Sequence, residues 1–285
     1  MSLHPTPSRR HRARSALLAL ALLAALLGVW HAIVASPADA GAGMDAEYAA
    51  LMGTAAKGGS SLPTPAEVGS TIAGHLASPF QYPGTEQPGL LVHLGYSLAR
   101  VAIGFSLAVA VAVPLGFVIG MSPLMHGALD PFIQVLKPVS PLAWLPLALY
   151  TIKDAQVSAI FVIFICSIWP TLVNTAFGVM RVRLEWLNVA RTLQTSRWRL
   201  VRHVLLPAAL PTVLAGMRIS VGIAWLVIVA AEMLVGGTGI GYFIWNEWNN
   251  LQIANIITAI LVIGVVGVAL DGLLAQVGRR FSYAE

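Results

Sequence analysis

The chain has 285 residues, of which 57% are hydrophobic and only 10% charged, with a formal net charge of +5. A soluble domain of this length does not need so little charge, and several apolar runs exceed the ~18–20 residues that cross a bilayer, so an all-α membrane protein is expected. The basic residues lie beside apolar runs with no aromatic-interleaved basic face, which leaves nucleic acid without support as a partner. The single cysteine, Cys166, sits inside an apolar run, can form no internal disulfide and reads as a small buried hydrophobe.

Arg9, Arg10, Arg12 and Arg14 precede an apolar stretch over 16–35. At about 20 residues it is longer than the ~7–15 of a secretory signal core. Residues 1–35 therefore read as a cytoplasmic basic N-terminus and a retained first helix, with a signal peptide ending near Ala38-Asp39-Ala40 as the alternative. Residues 36–88, rich in Gly, Ala, Pro and acids, read as a periplasmic loop. Within it, Thr64-Pro65-Ala66-Glu67 is a capping box with proline at the first helical position. Val68, Ile72 and Leu76 continue it as a narrow apolar stripe, predicting a short helix on the outer membrane face. Gly53 to Gly58 has the glycine spacing of a phosphate loop, but Gly59-Ser60 follows where Lys-Ser/Thr is required.

Five further spans are predicted over roughly 89–120, 131–152, 156–180, 211–235 and 253–277, about six in all, with residues 89–278 as the transmembrane domain. Gly116 and Gly120 form a small-xxx-small surface, and Gly264 and Gly267 thin the last helix. Pro138, Pro141 and Pro146 interrupt the third span. Each removes a backbone donor, which a membrane tolerates only where neighbours or water satisfy the freed carbonyls. The break either lines a cavity or is a kink between packed helices.

Orientation follows from the basic residues. Arg181, Arg183, Arg191, Arg197, Arg199, Arg202, Arg279 and Arg280 fall on the side of the N-terminal arginines, and only Lys57 and Lys153 on the other. Both termini and the 181–207 loop are thus predicted in the cytoplasm. The opposite loops hold Asp39, Asp45, Glu47, Glu67, Glu86, Asp154 and Glu247, and Trp245 with Trp248 suit an interfacial segment.

A charge at the bilayer centre costs at least ~2.5–3.5 kcal/mol, so ionisable residues within spans are functional candidates. Arg100, Lys137, Arg218 and Glu232 are the clearest, with Asp130 and Asp271 nearer the inner boundary. The excess of cations suits an anion pathway, with Lys137, immediately before Pro138, as the first choice and Arg100 and Arg218 after it. The competing reading is that each cation snorkels or neutralises a carboxylate on another helix. Arg218 and Glu232, about 21 Å apart along one helix, cannot pair with each other.

In the 181–207 loop, Leu184, Leu187, Ala190 and Leu193 recur every third residue as one apolar face. Gln194-Thr195-Ser196 breaks the pattern, and Ser196 caps a second helix running to Leu206. Arg191, Arg197, Arg199 and Arg202 remain for solvent, membrane lipid headgroups or a protein partner. So much capped amphipathic helix exceeds what topology alone requires. Neither a His-Glu-x-x-His pair nor a nucleophile elbow occurs, and the GGTGIG run at 236–241 follows a membrane helix and reads as a turn, so neither an enzyme nor a bound cofactor is expected.

The string at 188–207, NVARTLQTSRWRLVRHVLLP, resembles the cytoplasmic docking loop of bacterial ABC importer permeases. That pattern is Glu-Ala-Ala, three residues, Gly, nine residues, then Ile-x-Leu-Pro. Ala190 falls on its second alanine and Val204, Leu206 and Pro207 on its close, while Asn188, Val189 and Gln194 replace the glutamate, first alanine and glycine. Further strings carry a wider resemblance: PVSPLAWLP from Pro138, AIFVIFI from Ala159, AWLVIVAAEM from Ala224, GGTGIG from Gly236 and RFSY from Arg280. From about residue 89 onward the chain looks like the nitrate/sulfonate/taurine branch of these permeases, and within it most like nitrate permeases.

The resemblance implies a type I importer fold in the bacterial inner membrane and a homodimer of this subunit. It also implies ATPase subunits on separate cytoplasmic chains and a periplasmic anion-binding protein. The ATPases would dock on Glu185, Leu187, Asn188, Ala190, Arg191, Gln194, Arg197 and Pro207. Their closure would push the loop and switch the pathway from inward- to outward-facing. Nitrate is the expected cargo, with nitrite, cyanate, bicarbonate or a small sulfonate such as taurine as alternatives. A secondary carrier would show inverted repeats and midplane carboxylates, whereas the embedded carboxylates here are few and no repeat is visible. A structural or regulatory subunit would need no proline-broken span.

Overall fold

The computed structural model describes residues 9–35, 62–82 and 87–281. The expectations for Asp39, Asp45, Glu47, Lys57, Glu86, the Gly53 to Gly58 string and the Ala38-Asp39-Ala40 site lie outside the described residues. Contacts divide the chain into two compact units, Met1–Ala77 with Leu251–Thr258 and Ser78–Asn250 with Ala259–Glu285.

The first unit holds α1 (Arg9–Ala35) and α2 (Pro65–Ala77). The predicted capping box closes in both directions: Glu67 N–H donates to Thr64 Oγ1 at 3.2 Å, and Thr64 N–H donates to Glu67 Oε2 at 2.9 Å. The buried face of α2 departs from the predicted stripe, because His75 is buried where Leu76 is exposed. His75 Nε2 is hydrogen-bonded to Asn255 Oδ1 at 3.1 Å, and that partner turns the helix onto the 68/72/75 line.

The second unit holds α3 (Leu90–Met121), α4 (Pro123–Leu136), α5 (Pro141–Ile152), α6 (Ala155–Met180), α7 (Leu184–Thr192) and α8 (Arg197–Leu200). A π-helical turn (Val201–Leu205) leads into α9 (Leu206–Val235), followed by α10 (Ile240–Asn249) and most of α11 (Ile253–Phe281). Among the described residues, five helices are long and apolar enough to cross a membrane, or six if the bent pair α4 and α5 counts as one span. The third span begins earlier than predicted, at Pro123, and is not straight: α4 and α5 meet at 92°. Ser122 caps α4 through Met125 N–H, and Pro123 supplies its first turn. Pro138 then removes a donor after Leu136, and Pro141 starts the next helix in a new direction. Pro146 stays inside α5 without ending it.

α6 is the centre of this unit, packed between α3 and α9. The close approach comes from small residues at four-residue steps on α3: Gly104, Ala108, Ala112, Gly116 and Gly120. A Cβ at Gly116 would lie 2.6 Å from Thr175, and one at Gly120 2.7 Å from the Ala176 carbonyl. On the other side Thr171 Oγ1 and Ser220 Oγ are 2.8 Å apart, and Ser220 Oγ donates to the Ser167 carbonyl at 2.6 Å, so α6 and α9 are joined by polar contacts inside an apolar core. The thinning predicted for the last helix holds at one position. Gly267 lies against Trp225, whereas Gly264 faces open space within this chain.

Candidate functional site

Four places carry the predicted functional residues. The first is the segment from α7 to the start of α9. Leu187 packs on a cluster of Phe117, Val179, Val182, Leu205, Ala209 and Val213, and Ala190 is buried. Leu184 and Leu193 are 70% and 69% exposed, so the predicted four-residue face narrows to its middle two positions. A step of three residues turns about 300°, so four such positions fan across half the helix circumference instead of forming one stripe. α7 ends at Thr192 with Leu193 as its C-cap, and the next residue, Gln194, has a left-handed φ of 47°. This is the position where the docking pattern has glycine, and a left-handed backbone explains that preference. The carbonyl of Ala190 accepts from both Thr195 N–H (3.1 Å) and Thr195 Oγ1 (2.9 Å).

Ser196 caps α8 as predicted, accepting from Arg199 N–H at 3.4 Å. The second helix does not stop at Leu206-Pro207, however. Residues 197–235 run on without a turn. Pro207 has no N–H, and its ring collides with the carbonyl four residues back in a regular α-helix. The π-helical turn just before it, closed by Leu206 N–H to the Val201 carbonyl, widens the coil and removes that collision. Between α7 and this turn lies an apolar groove of about 820 Å³, with Trp186, Val189 and Leu193 on one wall and His203, Val204 and Pro207 on the other. Glu185, Asn188, Arg191, Arg197, Arg199 and Arg202 stand exposed around it.

The second place is the bend between α4 and α5. Lys137 caps the C-terminus of α4 and is exposed at the corner, not buried as predicted, because the 92° turn carries it out of the helix packing. Asp130, seven residues back, accepts from Gln134 Nε2 at 3.4 Å. Lys137 makes no ion pair among the described residues.

The third place is a buried polar cluster at the far end of α9. Arg100 Nη1 donates to Glu232 Oε1 and to the Thr238 carbonyl, both at 2.5 Å, and its Nε donates to Gln156 Oε1 at 2.8 Å. Glu232 also accepts from Ser97 Oγ (2.8 Å) and Gly241 N–H (3.0 Å). The first turn of α10 is held by the same group, since Ile240 N–H donates to Ser97 Oγ and Gly239 N–H to His93 Nδ1. A Cβ at Gly239 would overlap the Glu232 carboxylate. The GGTGIG run is the turn predicted, and its task is to wrap that carboxylate. Here the neutralising reading of Arg100 holds. The cluster was missed as a unit, although Glu232 four residues before a double glycine was its visible signal.

The fourth is Arg218, which pairs through Nε and Nη2 with both carboxylate oxygens of Asp271 on α11. The pair is half-exposed, at 50% and 48%. As predicted, Arg218 does not reach Glu232.

Comparison with known proteins accounts for this architecture. Residues 112–283 match the family described as binding-protein-dependent transport system inner membrane component. The chain is 46% identical over 217 residues, 76% of its length and 79% of the relative's, to a nitrate import permease protein, NrtB, of Synechocystis sp.. It is 42% identical over 205 residues, 72% and 74% of the two chains, to a bicarbonate transport system permease protein, CmpB, of Synechococcus elongatus. Among solved structures, an inward-facing MetNI methionine ABC transporter matches with a TM-score of 0.61 at 13% identity, covering 68% of this chain and 96% of that one, which shows a shared fold. The helices, the bent span and the sequence together place the chain in the family of inner-membrane permease components of binding-protein-dependent ABC transport systems.

Proposed function

We propose that this chain is the membrane permease of an ATP-driven importer of a small oxyanion, nitrate first and bicarbonate second. The relatives support the substrate class: those compared are named for nitrate and for bicarbonate, both compact monoanions. In this reading both termini and the 181–207 loop are cytoplasmic. ATPase chains dock on the exposed surface of Glu185, Asn188, Arg191 and Arg197, backed by Leu187, Ala190, Gln194 and Pro207. A binding protein delivers the anion from the other side. The homodimer expected from the resemblance finds no support in these comparisons, so the proposal rests on the permease chain and its ATPase.

One observation carries the pathway assignment. Of the three cations predicted inside spans, Arg100 and Arg218 each pair with a carboxylate, whereas Lys137 is exposed where a span breaks and pairs with none among the described residues. An ammonium in a membrane without a carboxylate partner needs water or a passing anion to offset its desolvation. Lys137 is therefore the pathway cation, while Arg100 and Arg218 hold helices together. The test is anion uptake into proteoliposomes holding the assembled complex. Lys137→Met should keep the ATPase bound and cut uptake by about tenfold or more, the loss of one charge-assisted contact. Lys137→Arg should keep most of it. Unchanged uptake in Lys137→Met removes the residue from the pathway.

A further inference from the structure

The half-exposed Arg218–Asp271 pair has a requirement the transport reading does not meet. Two charges that open toward hydrocarbon are expensive even when paired, so a polar group must lie against them. They stand in a trough of about 730 Å³ between α9 and α11. Leu214, Ile219 and Leu274 give it apolar walls, and Arg279 stands at its end. Arg218 spends Nε and Nη2 on Asp271, which leaves Nη1 directed away from that carboxylate, and Arg279 makes no ion pair among the described residues. The trough thus carries two arginines against one aspartate, with Leu214 and Leu274 between the two arginines along the helices and Ile219 at the deeper end. Arg218 is 17 residues from Val235, about 25 Å along the helix, close to the ~30 Å of a bilayer's hydrocarbon. With the cytoplasmic orientation proposed above, on which this step rests, the pair lies at the inner boundary and Arg279 at headgroup depth.

We infer that this trough binds one anionic phospholipid of the inner leaflet. Its phosphate sits at Arg279, its glycerol and ester region lies along Leu214 and Leu274 with an ester carbonyl at the free edge of Arg218, and an acyl chain continues past Ile219 toward the bilayer centre. The charge balance and the apolar walls fit an amphiphile; a free oxyanion would satisfy only the arginines. Basic pockets between membrane helices on the cytoplasmic side are a recurrent lipid headgroup site.

The experiment compares the purified complex in nanodiscs of phosphatidylcholine alone and of phosphatidylcholine with phosphatidylglycerol, reading retained lipid by native mass spectrometry. Wild type should retain phosphatidylglycerol. Gly278→Leu, which fills the trough from a position whose Cβ meets no atom within 4 Å, should lose it. Arg279→Gln should weaken retention by about tenfold, as expected for one charge-assisted contact, while neighbouring Arg280→Gln does not. Retention unchanged in Gly278→Leu and Arg279→Gln overturns the site, and equal loss in Arg280→Gln reduces it to diffuse surface charge. Stabilisation by inorganic phosphate or nitrate in detergent equal to that by the lipid assigns the arginines to a free anion. A disulfide-linked dimer of Ala275→Cys in membranes gives the trough to a second protein surface. Transport is not the readout, so lipid binding and the importer reading can fail independently.

Discussion

Glu232 and Arg100 set the cost of error at the residue scale. Both are buried, and their partners come from α3, α6, α9 and the turn before α10, so removing one charge strands the other. Glu232→Gln should lower stability by about 3–5 kcal/mol, the loss typical of breaking one side of a buried pair. It would be measured as a large drop in melting temperature in detergent, and a melting temperature within a degree or two of wild type would show the pair is not structural. Gln194 offers the opposite test. Its left-handed backbone suits glycine, so Gln194→Gly should be neutral or stabilising by up to ~1 kcal/mol, while the β-branched Gln194→Val should cost ~1–2 kcal/mol. Equal melting temperatures for the two variants would contradict that backbone. Neither residue's environment was legible locally: Arg100 and Glu232 are 132 positions apart, and only folding brings them together. The glycine of the docking pattern did mark the Gln194 position, because one backbone angle there is imposed by the end of α7.

The elements divide in the same way. Long apolar runs with small-residue steps were sufficient for α3, α6, α9 and α11, since spanning length and close packing are both written in local composition. What depended on geometry between neighbours was misjudged. The three-residue repeat on α7 predicts one face but fans around the helix, and the second helix, predicted to end at Leu206, continues past Pro207 because a π-helical turn absorbs the proline. That turn joins the proposed docking surface directly to α9. Pro207→Ala removes the steric reason for the wide coil, letting the segment tighten to α-helix and shift the register of α8 by up to one residue, about 100°. ATP hydrolysis should then continue while uptake falls several-fold, with the protein still abundant in the membrane. A fall in abundance alone, with the ratio of uptake to hydrolysis preserved, would make Pro207 merely structural.

At the scale of the whole molecule, a permease does no bond chemistry; it must offer two states that a partner can switch. The proposed docking surface and the exposed corner at Lys137 belong to the same compact unit, in which α6 packs against α3 and α9. Force on α7 and the π-helical turn therefore passes into long helices, not loops. The most direct measurement is nitrate uptake into proteoliposomes carrying this chain, its ATPase and its binding protein, with and without internal ATP. Uptake that requires ATP and the binding protein, accepts nitrate or bicarbonate, and falls in Lys137→Met is the predicted result. Uptake that runs on an ion gradient without ATP, or that carries a sulfonate and neither oxyanion, would contradict it.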